Sequence, residues 1–403
     1  MTSLEPSVAF ATSLRCSLGG GDGRVSELKK DLENQLVLAP LTKGGNYAFR
    51  RLCTEFGAKV TVSEMAYARK VGKGDRKERT LFVRSENEGI FGAQIATNNC
   101  AEAVSACNYA QENGAKFLDL NCGCPIREVT RRGLGSALMR KPHKLVALVE
   151  RMVSECSLPV TVKIRTGLEE DADAEKVLEL VRDLGHVGAS AVTIHGRTAQ
   201  QRYSGNANWD LISKVSAESG VDVIGNGDIL TAYEAKDRLA DSGCLAVMTG
   251  RGALIKPWLF SEFEKDYTWN PTPMERIGVY RTLVRFMKER FRDDEKGRLR
   301  SFEFLRFHMD FFSRYRYFPE EEHRERSKEY PLIQQREKAD LGFRDADVPP
   351  IEVLLQRPVD TVNLDALLGF LWDSGSDHEA TRLFEEEALS LRKQTLLACS
   401  AGE

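Results

Sequence analysis

Eight short apolar runs, each breaking into a polar or glycine-bearing turn and then into a stretch of helical spacing, constrain this chain more than any other feature of its sequence. The runs are VLAPL from Val37, KVTVS from Lys59, IFGAQI from Ile90, FLDLN from Phe117, PVTVKIR from Pro159, AVTIH from Ala191, DVIGN from Asp222 and LAVMT from Leu245. They are near-continuously apolar rather than alternating, the pattern of strands buried on both faces. Between them lie helix-period segments such as ALMRKPHKLVALVERMV from Ala137 and AEKVLELV from Ala174. Strand and helix in strict alternation predict a parallel sheet, and eight such units predict a (β/α)8 TIM barrel, with a doubly wound open sheet as the alternative. Polar residues gather where the runs end: Thr42, Glu64, Gln94, Asn121, Lys163, Arg165, His195, Arg197, Asn226, Asp228 and Arg251. In a barrel that end carries the active site.

After about Trp258 the strand pattern stops. PMERIGVYRTLVRFMKER from Pro273, SFEFLRFHMDFFSRYR from Ser301 and HEATRLFEEEALSLRKQTLL from His378 all have helical spacing. The expected organisation is a flexible extension over 1–30, a barrel over 31–267 and an all-helical domain over 268–403. The glycine-rich stretch SLGGGDGR from Ser17 is the reason for reading the first segment as a lead-in.

The formal net charge of the 403 residues is −3. That balance argues against a chain that coats nucleic acid by bulk charge, though not against a local basic surface. The helical domain offers one candidate, with Arg290, Arg292, Arg298, Arg300, Arg306, Arg314 and Arg316 interleaved with Tyr315 and Tyr317. Acids such as Asp293, Asp294 and Glu295 lie among them, so a solvated helix face is the plainer reading. No apolar run approaches the roughly 18 residues of a membrane helix, so no membrane association is expected. The nine cysteines are scattered and odd in number, which fits a reducing compartment rather than a disulfide framework. Only Cys122 and Cys124 lie close together, and C-x-C lacks the spacing of a zinc ribbon, so no metal is expected.

The turn DLNCGCP, residues 119–125, places both cysteines at the end of the fourth run. A thiol with an ordinary pKa of roughly 8.5 is mostly protonated at neutral pH and suits a proton donor, while a thiolate nucleophile needs a partner that nothing nearby in sequence supplies. GNGD from Gly225 and GRGA from Gly250, after the seventh and eighth runs, offer backbone that approaches a phosphate closely, where barrels often bind one. Lys163 and His195, on neighbouring runs, point to stabilisation of negative charge at the mouth.

DLNCGCP followed by RGLGSALM from Arg132 resembles the tRNA-dihydrouridine synthases, a family of flavin barrels. LAPLT from Leu38, NYAFRR from Asn46, SEMA from Ser63, Gln94, VKIRTG from Val162, HGRT from His195, GNGDI from Gly225, GRGAL from Gly250 and KPWLF from Lys256 follow the family's order. The chain is most similar to the eukaryotic type-three branch, which acts on a uridine in the tRNA variable loop. The resemblance implies FMN across the mouth, with Pro40, Leu41 and Thr42 beneath the ring and Gln94, Lys163 and His195 against it. It assigns Asn226, Gly227, Asp228, Gly250 and Arg251 to the ribityl chain and phosphate, and Asn121 and Arg197 to the substrate. Cys124, the cysteine before Pro125, matches the family's proton donor; Cys122 reads as a packing residue. NADPH is the implied reductant and tRNA the implied partner, with the helical domain over 268–403 as the tRNA-binding domain and its arginine-aromatic stretch as a tRNA surface, in a monomeric cytoplasmic protein with a nuclear fraction. An FMN barrel acting on a small pyrimidine-like substrate, and a tRNA-binding protein without catalysis, are the competing readings.

Overall fold

The computed structural model describes residues 21–334, 343, 347–357 and 362–400. Nine strands form a single parallel sheet: β1 (Leu36–Leu38), β2 (Val60–Val62), β3 (Ala66–Tyr67), β4 (Ile90–Ala96), β5 (Phe117–Asn121), β6 (Val160–Arg165), β7 (Ala191–His195), β8 (Val223–Asn226) and β9 (Ala246–Thr249). The sheet closes, because β1 pairs with both β2 and β9. β2 and β3 are two short pieces in one staff of the barrel, both pairing with β4. Eight staves result, so the structure is the TIM barrel and not the open sheet. Each of the eight apolar runs of the sequence supplies one staff.

Large and small side chains fill the barrel's lower interior. A Cβ on Gly92 would lie 2.2 Å from the Phe117 ring, so glycine on β4 makes room for the phenyl from β5. Val37, Val60, Ala191, Ile224 and Ala246 belong to the same cluster, and Leu28 and Leu32 join it from outside the sheet. Those leucines sit on the helix Gly21–Leu32, four residues apart and so on one face. The flexible extension expected through residue 30 is thus corrected over residues 21–30: burying Leu28 and Leu32 at the foot of the barrel orders them as helix, and Lys29 Nζ pairs with Asp222 Oδ1 at 2.7 Å. Residues 1–20 of that extension lie outside the described residues.

Beyond the barrel the described residues are helical: Pro273–Phe291, Glu295–Phe312, Glu320–Glu329, Pro350–Leu355, Leu364–Asp373 and Asp377–Ser400. The first begins where Thr272 and Glu275 form a capping box and Pro273 takes the first turn. Its face and that of Glu295–Phe312 lie on the barrel helix Tyr47–Glu55. The Arg51 guanidinium sits 3.9 Å from the Phe286 ring centre, and Phe49 stacks on His308 at 4.7 Å. The chain then returns to the barrel: Leu332 N donates to Glu234 Oε1 at 3.0 Å and Gln334 Nε2 to Asp228 Oδ1 at 2.9 Å. No described helix is long and apolar enough to cross a membrane.

Candidate active site

Alternate residues of a strand face one side of a sheet, so Phe117, Asp119 and Asn121 of β5 share the interior face. Above the Phe117 ring the interior turns polar. Asp119 accepts hydrogen bonds from Gln94 Nε2 on β4 and Thr161 Oγ1 on β6, each at 2.7 Å. Gln94 Oε1 accepts from Asn121 Nδ2 at 2.9 Å, and Asn121 Oδ1 accepts from the amides of Gly123 at 3.2 Å and Cys124 at 2.9 Å. A continuous hydrogen-bond chain therefore runs from the barrel interior to the cysteine loop. Across the opening, Lys163 Nζ donates to Asn226 Oδ1 at 2.7 Å, while Asn226 Nδ2 donates to the Met248 carbonyl at 2.8 Å.

Burial governs the charges here. It pulls the Lys163 amine down to about 7, against the opposing pull of Asp119. It pushes the Asp119 carboxyl above its ordinary range. It drives His195 well below 6.5, and the positive charges of Arg165, Lys163, Arg197 and Arg251 add to the effect. His195 is therefore a neutral imidazole. The Arg197 amide donates to its Nδ1 at 3.3 Å, which leaves the proton on Nε2 and makes that nitrogen a donor.

Both cysteines of the loop are free thiols, and their settings differ. Cys122 is fully enclosed in the barrel core. Cys124 is half-buried against Ala96, Val129 and Leu134, where burial raises its thiol above the usual value and keeps it protonated. Gly135 allows this fit: it has φ +61, and a Cβ there would lie 2.6 Å from the Cys124 carbonyl.

On the far side, the amides of Gly227, Asp228, Gly250 and Arg251 find no acceptor among the described residues. Unmatched amides on two adjacent loops, beside the Arg251 guanidinium, suit a phosphate group. Pro40 and Leu41 lie half-buried at the end of β1, a Cβ on Gly250 would touch Leu41 Cδ2 at 3.2 Å, and Thr42 is exposed. The residues present fit a flavin: Leu41 and Lys163 would hold its ring, and the Gly227 and Gly250 turns its phosphate.

Two expected contacts take a different place. Arg197 is 0% exposed and its Nη2 is paired with both Asp228 oxygens at 2.8 and 2.6 Å, so it braces the mouth from beneath rather than reaching a substrate. The Asp228 carboxylate also accepts from Arg251 Nη2 at 3.1 Å, the Ala207 amide at 2.7 Å and Gln334. It is fully engaged by the protein, and only its amide is left for a ribityl-phosphate. Conversely, Asp119 and Thr161 were not among the expected site residues. An acid in the middle of the apolar run FLDLN, two residues from Asn121 and on the same strand face, was the available signal. Arg165 is buried and binds the carbonyls of Gly123 at 2.9 Å, Thr198 at 2.8 Å and Arg202 at 3.1 Å, tying the loops after β5 and β7 together. The exposed Tyr203 ring lies over the Arg251 guanidinium at 4.4 Å.

Fold and site define a (β/α)8 barrel whose mouth gathers a half-buried thiol, a half-buried amine and a neutral imidazole. Residues 37–335 match the family model described as dihydrouridine synthase (Dus), and the chain belongs to that family. A tRNA-dihydrouridine(47) synthase [NAD(P)(+)]-like protein of Arabidopsis thaliana is 39% identical over 273 residues, covering 66% of this chain and 39% of that protein. The human protein of the same name is 38% identical over 293 residues, covering 71% and 44%. The tRNA-dihydrouridine(47) synthase [NAD(P)(+)] of Coprinopsis cinerea is 36% identical over 312 residues, covering 73% and 46%. The matched region thus spans less than half the length of these relatives.

Proposed function

We propose that the protein reduces a uridine of tRNA to 5,6-dihydrouridine at variable-loop position 47, using FMN and NADPH. The observation that carries this reading is the half-buried Cys124 thiol, held protonated and oriented through Asn121, across one mouth from Lys163 and His195. A flavin bound at this mouth would supply the hydride chemistry, with the nicotinamide as reductant and uracil C6 as acceptor. Cys124 delivers a proton to C5 from the opposite face, completing the addition of two hydrogens. Lys163 and the Nε2–H of His195 face the negative charge that builds during transfer. Asn121 orients the uracil while it fixes the thiol's loop. The base reaches the mouth only when flipped out of its stack, at a cost of a few kcal/mol. Arginine and lysine contacts to the RNA backbone offset that cost and make binding salt-dependent. A cytoplasmic site of action, with a nuclear fraction, fits a tRNA substrate.

The test is incubation of tRNA lacking dihydrouridine with the protein, FMN and NADPH, then nucleotide mapping by mass spectrometry. A gain of two hydrogens at position 47 is expected. No gain, with flavin bound and NADPH oxidised, would move the substrate elsewhere.

A further inference from the structure

The loops after β5 and β7 enclose a cleft of about 400 Å³ beside the cysteine loop. Pro125, Thr130, Ser136 and Arg140 form one wall, and Gln200 and Arg202 belong to the other. Arg165 staples the two walls, since its guanidinium binds carbonyls of Gly123, Thr198 and Arg202. Among the described residues no acidic side chain lines the cleft. Arg140 and Arg202 have no ion pair or side-chain hydrogen bond among the described residues, and neither does the hydroxyl of Ser136, an otherwise buried residue. Arg127, Arg131, Lys141 and Lys144, on the segments flanking Arg140, are exposed and have no ion pair among the described residues, and Glu128 is the only acid between residues 127 and 144.

The helical domain contrasts with this edge. Arg298 pairs with Asp373 at 2.7 Å, Arg306 with Asp365 at 2.6 Å, Arg292 with Asp294 at 3.2 Å and Arg314 with Asp310. Arg290 lies over Tyr47 and Arg300 over Phe291. Four of the arginines that stand out in the sequence thus carry their own counter-charges, while Arg290 and Arg300 rest on aromatic rings. On the barrel rim, next to the Cys124 thiol, Arg140 and Arg202 have no such counter-charge among the described residues.

We infer that the cleft seats a backbone phosphate of the RNA strand adjoining the reacting uridine, between Arg140 and Arg202, and that the rim through Lys144 tracks the strand outward. This rests on the reading of the protein as a tRNA uridine reductase. Two unpaired guanidiniums and a free hydroxyl facing each other across a stapled gap match a phosphodiester, which needs cations and donors but no acceptor. Anchoring the phosphate there fixes the flipped base by one short backbone span, as Pro125 adjoins Cys124.

The experiment is a titration with dihydrouridine-free tRNA at several salt concentrations, for the wild type, R140A/R202A, R140K/R202K and R298A/R306A. R140A/R202A is expected to bind roughly tenfold or more weakly, with its slope of log affinity against log salt reduced by about 1–2. The lysine variant should keep most of the slope, and R298A/R306A should match the wild type. The KM for NADPH in flavin reduction should stay unchanged. A wild-type slope in R140A/R202A would overturn the inference. So would a raised KM for NADPH with unaltered tRNA binding, which would make the cleft a dinucleotide site. A wild type that binds no tRNA would remove the functional reading and the cleft together. A wild type that binds through the cleft yet forms no dihydrouridine would remove the reaction and keep the cleft.

Discussion

Two cysteines two residues apart have opposite fates because one faces the core and the other the mouth. Cys124→Ala should abolish dihydrouridine formation while flavin stays bound, as read by tRNA mass spectrometry and the flavin absorbance of the purified variant. Cys122→Ala should keep turnover and lose about 1 kcal/mol of stability, the ordinary cost of a truncated core side chain. Equal loss of turnover in both would reverse the assignment. Lys163 invites a different measurement. Its amine, pulled down to about 7 by burial, is charged below that pH and neutral above it. A charged donor holds a flavin carbonyl more strongly than a neutral one, by about 1 kcal/mol or roughly fivefold. The affinity of the cofactor-free protein for FMN, taken relative to Lys163→Met, should therefore fall as pH rises through about 7. A constant ratio from pH 6 to pH 9 would show that the charge of Lys163 does not contribute.

At the scale of elements, β5 connects stability to chemistry. Phe117 fills the barrel, Asp119 anchors Gln94 and Thr161, and Asn121 holds the cysteine loop, three consecutive inward positions with three tasks. Asp119→Asn keeps an oxygen for Gln94 and turns its amide to the Thr161 hydroxyl, which can accept. It removes the negative charge that holds the Lys163 amine up. The pH limb of FMN binding should then move to lower pH, with the fold intact by circular dichroism. A limb that stays in place would separate the two groups. The strands were legible in the sequence because burial on both faces leaves an unbroken apolar run. Lys163, His195 and Asn226 were legible as polar residues ending such runs. The Asp119 network was less so, since its partners lie 25 and 42 positions away and meet only through barrel closure. Arg197 misled for the same reason: its place at a strand end marks it for the mouth, but the buried Asp228 carboxylate, 31 residues on, draws it beneath the surface. Nor does the glycine-rich stretch before Val25 reveal that Leu28 and Leu32 close the barrel's foot.

Across the whole molecule, the helical domain meets the barrel through a seam in which Arg51 lies over Phe286 and a histidine is enclosed among aromatic rings. His308 is buried between Phe49 and Phe312, with ring centres at 4.7 and 5.9 Å, and neither ring nitrogen has a hydrogen-bond partner among the described residues. Burial pulls it from 6.5 down to about 3. Between those values the folded protein binds one proton fewer than the unfolded chain, so stability falls as pH drops below about 6.5, by roughly 2 kcal/mol at pH 5. His308→Phe keeps a planar ring in the stack and leaves no orphaned nitrogen, so at pH 7 it should melt no earlier than the wild type. The drop in melting temperature from pH 7 to pH 5 should shrink in the variant. An equal drop in both would mean that other groups set the acid sensitivity and that the seam opens without charging His308. A smaller drop would identify this histidine as the point where acid loosens the helical domain from the barrel. Its effect on turnover would then show whether the helices must stay docked for RNA to reach Cys124. Gln334 reaches Asp228 at the mouth from that same domain, so undocking also withdraws one of the donors that hold the phosphate-side loop.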